Sequence, residues 1–228
     1  MTPAKNADAF VVALRDHLAD HADPERAAPM AAYLKNQFPF FGIGTEDRRR
    51  LLKAFLAQKS GRPDADLARQ IARRCWQEPE RELHYCGQEI LEIRSKVLTP
   101  DDFPLVEHLI TTHAWWDTVD FLATKIVSPI LRRHRESLAP TCEVWLESGN
   151  LWLQRTALLC QLKWKTETDR EVLAHAIERT RKSPEFFLRK AIGWSLREMA
   201  RTDPAWVIDL LGRIELSPLS RREASKHL

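Results

Sequence analysis

Apolar residues along this chain recur mainly at helical spacing. Between residues 113 and 130, the apolar residues Trp115, Val119, Leu122, Ile126 and Ile130 follow one another at intervals of four, three, four and four. This spacing puts them on one face of an α-helix and predicts a core-facing stripe. The chain has no period-two runs of β-branched residues and no Asn-Gly or Asp-Gly hairpin turns. The pattern predicts an all-α protein.

Signals for helix starts recur at regular distances along the chain. Asp203-Pro204 is typical, with a capping residue followed by proline, and the stretch from Ser220 to Glu223 reads as a capping box. These signals predict pairs of helices. The first helices of the pairs begin near residues 64, 100, 137, 167 and 204, and the second helices begin near residues 79, 115, 150, 184 and 218.

The starts of the second helices are separated by 36, 35, 34 and 34 residues. A helical pair that repeats at this period without a clear consensus sequence indicates an α-solenoid of degenerate HEAT-like repeats. No linker or low-complexity segment interrupts the pattern. We therefore predict one domain over residues 1–228.

The composition is that of an ordinary globular protein, with 44% hydrophobic and 29% charged residues. The four cysteines form no C-x-x-C pair, and no nearby histidine completes a zinc pattern, so reduced thiols and no metal site are expected. The N-terminus lacks the apolar run of a signal peptide, and no stretch is apolar enough for a membrane helix. We expect a cytoplasmic, nucleoid-associated protein.

The net charge of +3 hides a segregation between the two kinds of helix. The second helices over residues 115–135, 150–165 and 184–201 together carry +7, whereas the first helices over residues 100–114, 137–147 and 167–182 carry −5. If the second helices line the concave side, that side is a basic trough suited to phosphates. The alternative is that exposed helices simply carry charge.

Three features on the second helices could carry chemistry. Trp116 and Asp120 stand one helical turn apart at the edge of the core. They either hold something cationic or are a core tryptophan with a solvated or ion-paired aspartate. Arg155 is the only charge in an apolar segment over residues 151–162, so it needs a partner, which is either an internal carboxylate or a phosphate.

The third feature is Trp194, which has Lys190 four residues before it and Arg197 three residues after it. An aromatic ring between two cations on one helix face suggests a surface that meets an anion. The chain has no Gly-rich phosphate loop and no G-x-S-x-G elbow.

These residues resemble those of the AlkD-type DNA alkylation repair glycosylases, which are built of HEAT-like repeats. The resemblance covers nearly the whole chain. Its most specific parts are YLKNQFPFFGIGTEDRRRLL at Tyr33–Leu52 and WWDTVD at Trp115–Asp120, followed by Arg155 and Trp194 at family-like spacing.

The resemblance implies a role for each matching residue. Asp120 matches the catalytic carboxylate, and Trp116 and Trp194 match the two active-site tryptophans. Arg155 matches the arginine that contacts the DNA backbone near the lesion. The other residues expected to bind DNA are Tyr33, Lys35, Lys163, Lys190 and Arg197.

The implied activity is excision of N3- and N7-alkylated purines, including bulky adducts, from double-stranded DNA without a deep base-flipping pocket. The protein would be a monomeric, monofunctional glycosylase that needs no cofactor. Two alternatives are a non-catalytic relative that binds unusual DNA structures and a protein-interaction scaffold. The scaffold predicts no affinity for duplex DNA even at low salt.

Overall fold

The computed structural model describes residues 6–58 and 61–228, and all regular secondary structure within these residues is helical. The predicted all-α class is thus confirmed. The chain divides into two compact units, Met1–Leu98 (unit 1) and Thr99–Leu228 (unit 2). The single domain predicted over residues 1–228 stays a prediction. Within the described ranges, no helix combines the length and the apolar character that crossing a bilayer requires.

Unit 1 is built from helices whose apolar faces meet in one core. Its α-helices are α1 (Ala7–Ala19), α2 (Pro24–Tyr33), α3 (Thr45–Gln58), α4 (Ala65–Cys75) and α5 (Arg81–Glu92). Helix α4 packs on α5 and α1, and the core is filled by fully buried side chains such as Val11, Leu14, Ile71 and Ile90. A short 3₁₀ turn at Ser95–Val97 closes the unit.

The loop between α2 and α3 is held by a buried carboxylate of α5. Glu82 accepts hydrogen bonds from the backbone N–H groups of Phe41, Gly42 and Ile43 at 2.9 to 3.1 Å. Gly42 has φ +91°, and a Cβ there would lie 2.0 Å from the carbonyl oxygen of Asp23, so glycine is needed at this position. Much of the Tyr33–Leu52 motif therefore serves the fold of unit 1.

Unit 2 continues the helical pairs. Its α-helices are α6 (Phe103–Thr111), α7 (Trp116–Phe121), α8 (Ser128–Arg133), α9 (Leu138–Glu147), α10 (Leu151–Leu159), α11 (Arg170–Thr180), α12 (Phe186–Ala200), α13 (Pro204–Arg213) and α14 (Pro218–Ala224). The second helices begin at residues 81, 116, 151, 186 and 218, close to the predicted starts. This spacing agrees with an α-solenoid of helical repeats.

The predicted apolar stripe forms the buried face of α7 and its continuation. Val119, Leu122, Ile126 and Ile130 are fully buried, as expected. Trp115 is different, because it precedes the helix in extended conformation and is only half-buried. The stripe positions the first turn of α7, which carries Trp116 and Asp120.

Between α7 and α8 the chain forms a π-helical segment, Leu122–Val127, which the apolar spacing does not predict. Pro129 follows it and has no N–H to donate to the carbonyl of Lys125, four residues earlier. A missing helical hydrogen bond at this point is a physical reason for the wider turn. The irregular segment begins two residues after Asp120.

The predicted capping box at Ser220–Glu223 is wrong. Ser217 caps α14, and its hydroxyl accepts from the backbone N–H of Ser220. Ser220 lies inside the helix and donates to the carbonyl of Arg189 in α12. Glu223 faces α12 as well, where it contacts basic side chains. The helix starts earlier because Pro218 occupies its first turn, a position that proline favours.

Candidate functional site

Asp120 and Arg155 form a bidentate ion pair in unit 2. The Nε group of Arg155 donates to Oδ1 of Asp120 at 2.7 Å, and Nη2 donates to Oδ2 at 2.8 Å. The arginine side chain is 6% exposed and the aspartate side chain 18% exposed. Of the two partners considered for Arg155, the internal carboxylate is therefore the one observed, and it is the candidate catalytic residue itself.

Three helices position this pair. Asp120 lies in α7 and Arg155 in α10, whose first turn is capped by the side chain of Asn150. The Nη1 group of Arg155 donates to the carbonyl oxygen of Phe187 in the first turn of α12, at 2.5 Å. Asp120 and Arg155 are 35 residues apart, which is one repeat. They occupy equivalent positions in successive second helices, and the sequence period could have suggested their contact.

Burial raises the pKa of the Asp120 carboxyl above its usual range. The hydrogen bonds and the positive charge of Arg155 act in the opposite direction, and the nearby Asp117 adds to the rise. Asp120 is thus a carboxylate in poorly hydrated surroundings, and within residues 6–58 and 61–228 it has one fixed cationic partner. Such a group responds strongly to a new charge placed beside it, because little water screens the interaction.

An aromatic cluster adjoins the ion pair. The ring centroids of Trp115, Trp152 and Phe187 are 5.0 to 5.8 Å apart, and Phe186 lies 5.4 Å from Phe187. Phe186 is 58% exposed. The indole Nε1 of Trp115 is buried and has no hydrogen-bond partner among the described residues. Sequence reasoning missed Phe186 and Phe187, although two adjacent phenylalanines at a helix start are a visible signal.

The structure places the two predicted active-site tryptophans on two of these three helices. Trp116 opens α7 one turn before Asp120, and it is half-buried. Trp194 is also half-buried and lies in α12, seven residues after Phe187. Seven residues are two helical turns, so both side chains share one face of α12. That face also supplies the carbonyl that Arg155 contacts.

The predicted DNA-binding residues fall in several places. Lys190 and Arg197 lie on α12, where both contact Glu223, at 3.1 and 2.9 Å. Lys163 is exposed just after α10. Tyr33, which is 71% exposed, and Lys35 lie at the C-terminal end of α2 in unit 1. Their assignment to DNA binding stays a prediction.

Fold and site together define a class of protein, which is all-helical, built of repeats, and carries a largely buried, ion-paired carboxylate beside an aromatic cluster. Comparison with known proteins makes the class specific. Residues 14–228 match the family of DNA alkylation repair enzymes. A solved structure described as a predicted DNA alkylation repair enzyme from Enterococcus faecalis is 34% identical, with a TM-score of 0.84 over 91% of this chain and 96% of that chain. No protein of curated function matches.

The chain belongs to the DNA alkylation repair enzyme family. Membership gives the protein a role in the repair of alkylated DNA. It also points to an enzyme, with DNA as its partner.

Proposed function

We propose that the protein is a monofunctional DNA glycosylase of the AlkD type. It would hydrolyse the N-glycosidic bond of cationic N3- and N7-alkylated purines in double-stranded DNA. The observation that carries the proposal is the carboxylate of Asp120, which is largely buried, fixed by Arg155 and one helical turn from Trp116.

The reaction suits this site because the leaving group needs no proton. A purine alkylated at N3 or N7 is a cation, and it takes the electron pair of the glycosidic bond to leave as a neutral base. Positive charge then develops on the deoxyribose, which approaches an oxocarbenium ion. Water adds to C1′ and loses a proton, which completes the hydrolysis. The main requirement is stabilisation of a cation at the sugar.

Asp120 can supply much of this stabilisation. A carboxylate about 4 Å from a unit cation contributes roughly 4 kcal/mol at an effective dielectric constant of about 20. If the attraction develops only in the transition state, this corresponds to about a thousandfold in rate. The positive charge of Arg155 offsets part of the attraction, so this figure is an upper value for the pair.

Arg155 acts in this proposal as a positioning residue for Asp120. Two of its nitrogens hold the carboxylate and the third holds the Phe187 carbonyl, which fixes Asp120 in one orientation. A carboxylate has about four lone-pair sites, so two remain for the sugar or the attacking water. The 18% exposure of Asp120 leaves a path to them. The resemblance implies that Arg155 contacts the DNA backbone, but the Arg155 side chain has little exposed surface for such a contact.

The aromatic residues complete the proposed site. The faces of Trp116 and Trp194 carry partial negative charge, which attracts a developing cation. The two tryptophans would flank the deoxyribose and the adjacent DNA backbone. The alkylated base would not be enclosed in a pocket. A site that does not enclose the base sets no upper limit on adduct size, so bulky N3 and N7 adducts are included among the proposed substrates.

One observation favours a second candidate function. Because Arg155 neutralises Asp120, the pair could serve as a structural tie in a non-catalytic protein that binds unusual DNA structures. Removing the carboxylate separates the two functions. In the glycosylase, catalysis is lost and DNA binding remains. If the ion pair is only a structural tie, removing the carboxylate lowers the stability of the fold and has no other effect.

The decisive experiment measures release of free 7-methylguanine from duplex DNA by the wild-type protein and the Asp120→Asn variant. We expect release by the wild type and a lower rate in the variant, by up to about a thousandfold, with binding to the same duplex retained. Asparagine keeps the shape and one acceptor oxygen, so Arg155 retains a partner. Thermal unfolding of both proteins verifies that the variant folds.

The matched control is Asp209→Asn. Asp209 also pairs with an arginine, Arg213, at 2.6 Å, but this pair is 61% exposed on α13. Its substitution should leave base release unchanged. Equal release by wild type and Asp120→Asn would remove Asp120 from the reaction, and no release by the wild type would contradict the glycosylase proposal.

A further inference from the structure

One carboxylate in unit 2 gathers three cations. Glu223 of α14 contacts the amine of Lys190 at 3.1 Å, the guanidinium of Arg197 at 2.9 Å and the amine of Lys226 at 2.9 Å. The first two cations lie on α12, and Lys226 lies in the 3₁₀ turn that ends the chain. We call these four residues the Glu223 cluster. It carries a net charge of +2.

The cluster is held by close packing of α14 on α12. A Cβ at Gly193 would lie 2.4 Å from Cβ of Glu223, so only glycine allows the two helices to approach this closely. Next to this contact, the Ser220 hydroxyl donates to the carbonyl of Arg189 at 2.9 Å. Glu223 is therefore fixed against α12 by its backbone as well as by its ion pairs.

The carboxylate of the Glu223 cluster is buried, whereas its three cations are partly exposed to solvent. The Glu223 side chain is 8% exposed, whereas those of Lys190, Arg197 and Lys226 are 39%, 28% and 47% exposed. Each cation spends few of its N–H donors on Glu223, since a lysine has three and an arginine has five. The remaining donors are available to an anion in solvent.

Glu223 stays ionised at neutral and mildly acidic pH. The hydrogen bond from Lys226, reinforced by Lys190, lowers the pKa of the Glu223 carboxyl to about 2. A permanently ionised carboxylate offsets the mutual repulsion of the three cations, so they can stay together without a bound anion.

We propose that the Glu223 cluster is a preassembled binding site for the phosphates of the DNA backbone, with Glu223 as its positioning residue and Lys226 as a phosphate contact. The proposal rests on the proposed function, which supplies DNA as the ligand. It adds α14 and the C-terminal turn to the DNA-binding surface. Ordering the cations in advance reduces the conformational entropy that binding would otherwise cost.

The first test is the salt dependence of binding to an undamaged duplex, measured by fluorescence anisotropy for the wild type and Lys226→Met. Each phosphate neutralised contributes about 0.9 to the slope of log K against log salt concentration. We expect the variant to lose about 0.9 from the slope, while Lys182→Met, an exposed lysine after α11, leaves it unchanged. An unchanged slope in Lys226→Met overturns the assignment of Lys226.

The second test uses Glu223→Gln, for which two mechanisms predict opposite signs. If Glu223 only neutralised its neighbours, removing its charge would strengthen binding to DNA. If Glu223 holds the cations in place, the variant gains a positive charge yet binds more weakly, by about threefold to tenfold, a loss of about 0.7 to 1.4 kcal/mol. Unchanged or tighter binding by a variant that unfolds at the wild-type temperature overturns the role of Glu223.

These measurements use undamaged DNA, so they do not depend on base release. If the wild type binds duplex in a salt-dependent way and Lys226→Met loses about 0.9 from the slope, but no base is released, the glycosylase proposal is contradicted and the proposal for the Glu223 cluster stands. The reverse result, base release with unchanged slopes in the variants, would contradict only the cluster. Absence of any salt-dependent binding by the wild type would overturn both.

Discussion

Each unit of the protein contains a largely buried carboxylate held by a bidentate arginine, and the two carboxylates differ in how much of their charge is left unpaired. In unit 1, Arg48 donates to both oxygens of Glu89, at 2.7 and 3.0 Å, and Arg49 donates to one of them at 2.8 Å. In unit 2, Arg155 is the one cationic partner of Asp120 among the described residues. Glu89 is 10% exposed and Asp120 is 18% exposed.

The pKa values of the two carboxyls shift in opposite directions. Burial acts on both carboxyls and raises the pKa of each. Around Glu89 the hydrogen bonds and charges of Arg48 and Arg49 outweigh burial and lower its pKa. Around Asp120 burial, together with the negative charge of Asp117, outweighs Arg155 and leaves the pKa raised. A doubly paired carboxylate is suited to stabilising a fold. A singly paired one, next to aromatic faces, retains attraction for a further cation.

The largest expected effect that tests this comparison is on stability. Glu89→Gln leaves the buried guanidinium of Arg48, which is 4% exposed, without a counter-charge. Breaking a buried pair in this way costs about 3–5 kcal/mol. We expect the free energy of unfolding, measured by urea denaturation, to fall by about this amount. Base release per folded molecule should stay at the wild-type level, and a loss of release without a loss of stability would contradict the structural role.

The substitution Arg155→Gln is expected to have a smaller effect, which is a change in the pH dependence of base release. The variant removes the charge that lowers the pKa of Asp120, so burial raises this pKa further. We expect the acidic limb of the pH profile of base release to move to higher pH. A change of one pKa unit in the carboxyl corresponds to about tenfold in the acidic range. The salt slope of duplex binding should not change, because Arg155 is only 6% exposed.

The matched control for Arg155→Gln is Arg213→Gln, which removes an exposed arginine from its aspartate on α13. It should leave the pH profile in place. If Arg155→Gln instead lowers the salt slope by about 0.9 and keeps the pH profile, Arg155 contacts a phosphate and does not act through Asp120.

Much of the fold could be predicted from the sequence, because one physical pattern repeats along it. The starts of α7, α10 and α14 were predicted within about a residue from caps and apolar spacing. The π-helical segment at Leu122–Val127 was not predicted. The segment depends on the helical hydrogen bond that Pro129 cannot donate. Whether a missing hydrogen bond widens a helix into a π-helical turn is decided by packing and not by residue type.

The site was predicted residue by residue but not as an arrangement. Asp120, Trp116 and Arg155 were singled out, yet the pairing of Asp120 with Arg155 depends on how successive repeats are aligned. Glu223 was assigned to a capping box because its neighbour Ser220 fits that motif. A capping box at Ser220 would begin the helix at residue 221, whereas α14 begins at Pro218, where the repeat period predicts it. Glu223 therefore lies one turn further into the helix and faces α12. Helix boundaries are the least secure part of any sequence-based prediction.

The smallest effect that sharpens the comparison is a difference in the pH dependence of stability. The folded-state pKa of Glu89 is lowered from 4.5, so the unfolded chain binds more protons and this group stabilises the fold increasingly as pH rises toward 4.5. The folded-state pKa of Asp120 is raised from 3.8, so its contribution runs the other way and is lost as pH rises above 3.8.

Urea denaturation at a series of acidic pH values should therefore give opposite trends for two variants. The destabilisation by Glu89→Gln, relative to wild type, should grow as pH rises to 4.5 and then level off. The difference between wild type and Asp120→Asn should shift in favour of the variant as pH rises above 3.8. Parallel trends would mean that Arg155 alone holds Asp120 as firmly as two arginines hold Glu89. Asp120 would then have no more unsatisfied charge to offer a substrate than a carboxylate that only stabilises the fold.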